Sequence, residues 1–142
     1  MDWVTGIQRA IDYIEDNITE KLSIEAIASQ AYVSSFYFQR VFAIFSNCTV
    51  GEYIRNRRIA LAGAEVSSTE GKIIDIAMKY GYENPESFTR SFVRFHGVTP
   101  SVARRNPSKL QSFHRMSVKT ILEGGNDRSE EHTSELQSRH NL

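Results

Sequence analysis

The chain has 142 residues, 40% of them hydrophobic and 24% charged, and its 17 Lys+Arg balance 17 Asp+Glu. That suits one ordinary domain or two very small lobes, and it excludes wholesale disorder, a fibrous repeat and a uniformly basic coat for nucleic acid. One cysteine, Cys48, excludes a disulfide framework and any multi-cysteine zinc site.

The first predicted element is a helix over about residues 5–17, because Ile7, Ile11, Ile14 and Ile18 recur at helical steps and make one apolar stripe. Ser23 suits the N-cap of a short second helix with Ile27, Ala28 and Ala31 inward. Tyr32-Val33 forms a turn, and Ser34 caps a third helix that buries Phe38, Val41, Phe42 and Phe45. A longer linking helix runs over about residues 50–66, roughly 25 Å at 1.5 Å per residue, until Ser67-Ser68-Thr69-Glu70-Gly71 breaks it.

The pattern then repeats. A short helix over 72–80 turns Ile73, Ile76 and Ala77 inward, and Gly81 supplies a turn that needs positive φ. Asn84-Pro85 is an N-cap with proline at the first helical position, opening a helix that buries Phe88, Phe92 and Phe95. Thr99-Pro100 opens a last short helix ending near Arg105. IAxxA at 27–31 answers IAMKY at 76–80, and FxRxF at 38–42 answers FxRxF at 88–92, with a one-residue slip in the turn. A short helix, a tight turn and a second helix with an apolar inner face make a helix-turn-helix unit. The expected fold is all-α: two such lobes joined by a long helix, about seven helices over residues 5–105.

Charge follows this organisation. Residues 1–34 hold two basic against six acidic side chains, a net of −4, and residues 35–109 hold eleven against six, a net of +5. Such asymmetry points to one face that meets a polyanion, although scatter alone also yields splits of this size. Once the inward residues are set aside, the third helix presents Ser35, Phe36, Gln39, Arg40 and Ala43 to water. The helix after Asn84 presents Glu86, Ser87, Thr89, Arg90 and Arg94. Arginine suits guanine, glutamine suits adenine, glutamate accepts from cytosine, and small or aromatic groups meet the thymine methyl. Phe36, Gln39, Arg40, Glu86, Ser87, Thr89 and Arg90 are therefore the candidate base readers. The alternative for Ser35 and Glu86 is stabilisation of a helix N-terminus, and for Arg40 and Arg90 a solvated charge. Ser35, Arg55, Arg57, Arg58, Arg94 and Arg104 are candidates for phosphate contacts that set register without reading sequence. For Arg58 a structural ion pair between lobes is an equal alternative.

An enzyme finds little support. His96, His114, His132 and His140 are scattered, and none pairs with a cysteine or carboxylate at metal-ligand spacing. Gly124-Gly125 has no phosphate-loop motif around it, and Cys48, with no histidine nearby, reads as a structural thiol. No catalytic residue, metal or cofactor is expected. No apolar run approaches the roughly 20 residues of a membrane helix, and the acidic N-terminus is unlike a signal peptide, so a soluble cytoplasmic protein is the expectation.

The stretch IDIAMKYGYENPESFTRSFVRFHGVTPSVAR resembles the signature of the AraC/XylS transcription regulators, with Tyr82 where phenylalanine is usual. Upstream, LSIEAIA, SSFYFQRVF and EYIRNRRIALA resemble that family's first unit and linking helix. The resemblance implies two recognition helices in successive major grooves of double-stranded DNA, and regulation of transcription, usually activation through contact with RNA polymerase. It carries recognition positions onto Phe36, Gln39 and Arg40 and onto Glu86, Ser87, Thr89 and Arg90. Pro85 takes a position that is often polar in the family. The other reading is a protein-interaction module whose helix-turn-helix units dock on RNA polymerase or a sigma factor.

After Arg105 the pattern changes. In residues 112–122 Met116, Val118, Thr120 and Leu122 fall on one face of a strand-like segment. It is similar to the start of GyrI-like effector-binding domains, which bind small, often amphipathic or cationic molecules. Residues 106–127 are therefore expected to be a linker and the first strand of a missing effector domain. The polar tail 128–142 resembles an in-frame translation of a sequencing adapter and is set aside.

Overall fold

The structure, a computed structural model, describes residues 2–124. Among them are α1 (Trp3–Asp16), α2 (Ile24–Ser29), α3 (Ser35–Ser46), α4 (Val50–Ser68), α5 (Ile73–Lys79), α6 (Pro85–His96), α7 (Pro100–Arg105), a 3-10 turn (Pro107–Lys109) and α8 (Val118–Leu122). The chain forms two compact units. Of the described residues, one takes 2–16, Leu22–Val50 and 115–124, and the other takes Asn17–Lys21 and Gly51–His114.

In the first unit α1 buries Ile7, Ile11 and Ile14 of the expected stripe together with Ala10, while Ile18 lies beyond the helix end at Asp16. Gly6 lets the turn after α2 come close, since a β-carbon there would lie 3.3 Å from the Ala31 side chain. Ile27 and Ala28 of α2 and Phe38 and Phe42 of α3 complete the core, with the two rings 5.8 Å apart. In the second unit α5 buries Ile76 and Ala77, α6 buries Phe88, Phe92 and Phe95, and α4 buries Tyr53, Ile59, Ala62 and Val66.

The repeat extends to the backbone. Tyr82 N–H donates to Ala77 O at 3.0 Å, closing the turn between α5 and α6, and Val33 N–H donates to Ala28 O at 3.4 Å between α2 and α3. This six-to-one bond needs a left-handed residue just before it. Gly81 takes that place with φ 94°, but in the first unit the place falls to Tyr32, with φ 58°. A tyrosine there carries steric strain that glycine does not. The ring is 75% exposed and contributes little packing. Tyr32→Gly should therefore stabilise the protein by about 0.5–1 kcal/mol, seen as a melting midpoint about 2 °C higher. An unchanged or lower midpoint would show that the ring's contacts outweigh the strain.

The segment after Arg105 departs from the expected strand. Among the described residues there is no strand, and residues 118–122 are helix α8. Ser117 Oγ caps it by accepting from Thr120 N–H at 3.3 Å, while Val118 is fully buried and its N–H donates to Gln8 Oε1 of α1 at 2.8 Å. Arg115 Nη2 donates to Asp12 Oδ1 at 2.6 Å, which helps hold that carboxyl below its usual range against the opposing effect of burial. The period-two pattern is overridden because a lone strand has no edge to pair with, whereas α1 offers an apolar flank and two polar anchors. Earlier in the same segment Phe113 packs 6.0 Å from Tyr53 and 6.4 Å from Phe95 in the second unit. Residues 128–142 lie outside the described residues.

Candidate nucleic-acid interface

Two capped helices carry the candidate readers. Ser34 Oγ accepts from Tyr37 N–H at 3.1 Å at the start of α3, and Asn84 Oδ1 accepts from Ser87 N–H at 2.8 Å at the start of α6. Each cap satisfies one of the helix's orphan donors and fixes where its first turn begins. The phenylalanines at 38 and 42, and at 88 and 92, then turn inward and fix the rotation of each helix. What remains outward is set by that rotation.

On α3, Phe36, Gln39, Arg40 and Ala43 are exposed and Ser35 is half-buried. The Arg40 guanidinium lies over the Phe36 ring, 5.5 Å from its centroid. Gln39 Nε2 donates to Ser35 O at 3.2 Å. Ile44, 78% exposed, and Tyr37, 48% exposed, lie on the same helix and were not among the sequence candidates. Ile44 could have been found, since it follows Phe36 and Arg40 at steps of four and so shares their stripe.

On α6, Glu86, Arg90 and Arg94 are exposed, and Ser87 and Thr89 are half-buried. The Ser87 hydroxyl donates to Asn84 O at 3.1 Å, so its proton serves the cap. Arg40 and Arg90 occupy corresponding positions 50 residues apart, both exposed.

The remaining basic candidates divide. Arg55 is exposed on α4. Arg57 Nη1 donates to Phe113 O at 2.6 Å. Arg58 donates from Nε to Ile18 O at 2.8 Å and from Nη2 to Glu20 O at 2.7 Å. The interlobe ion pair considered for Arg58 is thus replaced by a clamp on main-chain carbonyls of its own unit. Burial pulls the Arg58 guanidinium below its ordinary range. Arg104 does the same work at the end of α4, donating from Nε to Val66 O at 2.9 Å and from Nη2 to Gly71 O at 2.6 Å. Helix C-termini present unpaired carbonyls and partial negative charge, which is what a guanidinium fork satisfies. These donors hold loops in place, and of the candidate arginines Arg40, Arg55, Arg90 and Arg94 are exposed.

Chemistry of other kinds has little to work with. Among the described residues no group of three or more His, Cys, Asp or Glu could hold a metal ion, and no helix is long and apolar enough to cross a membrane. Cys48 is buried, with Ser46 Oγ 3.6 Å from its sulfur. Glu65 is held below the usual carboxylate range by Lys79, whose Nζ lies 2.8 Å away, and Tyr80 beside them is pushed up to about 12, chiefly by burial.

Comparison with known proteins gives a consistent result. A family model described as a helix-turn-helix domain matches residues 27–106. The regulatory protein SoxS of Salmonella typhimurium is 42% identical over 95 residues, spanning 67% of this chain and 89% of that protein. The HTH-type transcriptional activator AarP of Providencia stuartii is 38% identical over 98 residues, 69% of this chain and 73% of that one. The solved structure of a transcriptional regulator from Chromobacterium violaceum, described as an AraC-type DNA-binding protein, superposes with a TM-score of 0.67 at 23% identity. It covers 77% of this chain and 96% of that chain.

Proposed function

The chain belongs to the AraC/XylS family of DNA-binding transcription regulators, and from that premise we propose that it is a sequence-specific activator that places α3 and α6 in successive major grooves. The family is one of regulators and not of enzymes. The observation that carries the finer reading is the pair Arg40 and Arg90, exposed at equivalent places on two helices capped in the same way. A solvated arginine needs no such recurrence, whereas two readers of one duplex do. In this reading Phe36, Gln39 and Arg40 read one groove, and Glu86, Ser87, Thr89 and Arg90 read the next. Ser35, Arg55 and Arg94 hold phosphates, joined by whatever part of the Arg57, Arg58 and Arg104 guanidinium forks is not given to carbonyls. RNA polymerase is the protein partner in the cytoplasm, in keeping with AarP's designation as an activator.

The test is fluorescence anisotropy of the full chain on duplexes selected from a random pool, across a salt series. Selective binding whose affinity falls steeply with salt is expected, because phosphate neutralisation releases counterions. Arg40→Ala should remove about 1–3 kcal/mol of discrimination at its own base pair and leave the others unchanged. Binding indifferent to both sequence and salt would sink the proposal in favour of helices that dock on RNA polymerase or a sigma factor.

A further inference from the structure

Phe36 is 67% exposed, on the face of α3 opposite its buried phenylalanines. A helical side chain leans towards the N-terminus, so the residue one turn later reaches back over it. Arg40 does so, with its guanidinium 5.5 Å from the ring centroid. Arginine is among the most rotamer-rich side chains, and a guanidinium lying over an aromatic face gives up much of that freedom before any ligand arrives. A cation–π contact engages the charge of the guanidinium and consumes none of its N–H donors. The N–H groups that would meet guanine O6 and N7 therefore remain available.

The second reader is built differently. Glu86 occupies the position that answers Phe36, so Arg90 has a carboxylate one turn before it where Arg40 has a ring.

We propose that Phe36 is a positioning residue for Arg40: its ring holds the guanidinium ready for guanine, so that guanine discrimination is sharper at the first recognition helix than at the second. This rests on the major-groove reading above. Phe36 then does more than fill space against a base, and Arg40 loses part of its selectivity when the ring's electrons are removed even if its bulk is kept.

The experiment uses the full chain and the duplex that it selects most strongly. Single guanines are replaced by 7-deazaguanine, which lacks the N7 acceptor, and the guanine whose penalty disappears in Arg40→Ala is taken as its base. The same penalty is then measured in Phe36→Leu, which keeps an apolar side chain, and in Phe36→Tyr, which keeps the ring face. The penalty should shrink about two- to fivefold in Phe36→Leu, the range of an exposed cation–π contact. It should persist in Phe36→Tyr, and the salt dependence should be the same in all three proteins. A full penalty in Phe36→Leu would overturn the proposal, as would an equal loss on guanine and 7-deazaguanine duplexes, which is what a ring that only fills the groove produces. Sequence selection without any guanine assigned to Arg40 would overturn it while leaving the two-reader function standing. A chain that selects no sequence overturns both.

Discussion

Gly63→Ala should destabilise the protein by about 2–4 kcal/mol, although alanine is the better helix former by about 1 kcal/mol. Gly63 is buried within α4, and a β-carbon there would lie 2.6 Å from His96 Nε2, 2.7 Å from His96 Cε1 and 3.1 Å from Leu110 Cδ2. The imidazole is not free to move aside. His96 is 3% exposed, its Nε2 lies 2.9 Å from Ile59 O, and its Nδ1 accepts from Gln111 N–H at 3.0 Å. With Nδ1 accepting, the proton sits on Nε2 and donates to Ile59 O. Phe92 and Phe95 flank the ring at centroid distances of 4.3 and 4.7 Å. Displacing it would leave a buried carbonyl and a main-chain N–H without their bonds, which costs more than helix propensity returns. Urea denaturation should show the midpoint falling by about 1–2 M. A midpoint at or above that of the parent would mean that the ring has somewhere to go.

Phe92→Ala carries the second large effect, about 3–5 kcal/mol, a substantial share of the roughly 5–15 kcal/mol that holds a small protein folded. Phe92 is fully buried, 5.5 Å from Phe88 and packed on His96, so its removal leaves a cavity that the neighbouring rings cannot fill without leaving their own contacts. Arg90 on the same helix is the control. It is exposed, and Arg90→Ala should change stability by no more than about 0.5 kcal/mol while weakening duplex binding. Thermal melts and anisotropy on the two variants separate an inward face that builds the lobe from an outward face proposed to read DNA. A Phe92→Ala protein that melts with the parent would refute the packing, and an Arg90→Ala protein that melts early would give Arg90 a structural role.

Much of this architecture was legible because its determinants are local. Ser34 and Asn84 each bond an N–H three residues ahead, and the apolar faces of α1, α3 and α6 repeat every three or four residues. Such signals survive in any tertiary setting that supplies a core. The doubled helix-turn-helix and the outward positions of Phe36, Gln39, Arg40, Glu86, Arg90 and Arg94 follow from them.

The arginines show where local reading ends. Arg55, Arg57 and Arg58 stand almost side by side in the sequence, yet Arg55 faces solvent while Arg57 and Arg58 reach carbonyls 56 and 40 residues away. Arg104 likewise closes on Val66 O, 38 residues back. A guanidinium suits phosphate and a helix C-terminus equally well, so the letter alone cannot say which it meets. The segment after Arg105 is similar: residues 112–122 alternate like a strand, but a strand needs a neighbouring edge, and Gln8 and Asp12 of α1 offer anchors to a short helix instead. The sequence by itself determined that the segments of α1 to α7 are helical and which faces α1, α3 and α6 turn inward, because these depend on neighbours within one helical turn. The tertiary structure alone decided which cations remain on the surface, that His96 is a buried support, and that residues 118–122 fold as α8, because each depends on carbonyls and apolar surface contributed by distant parts of the chain.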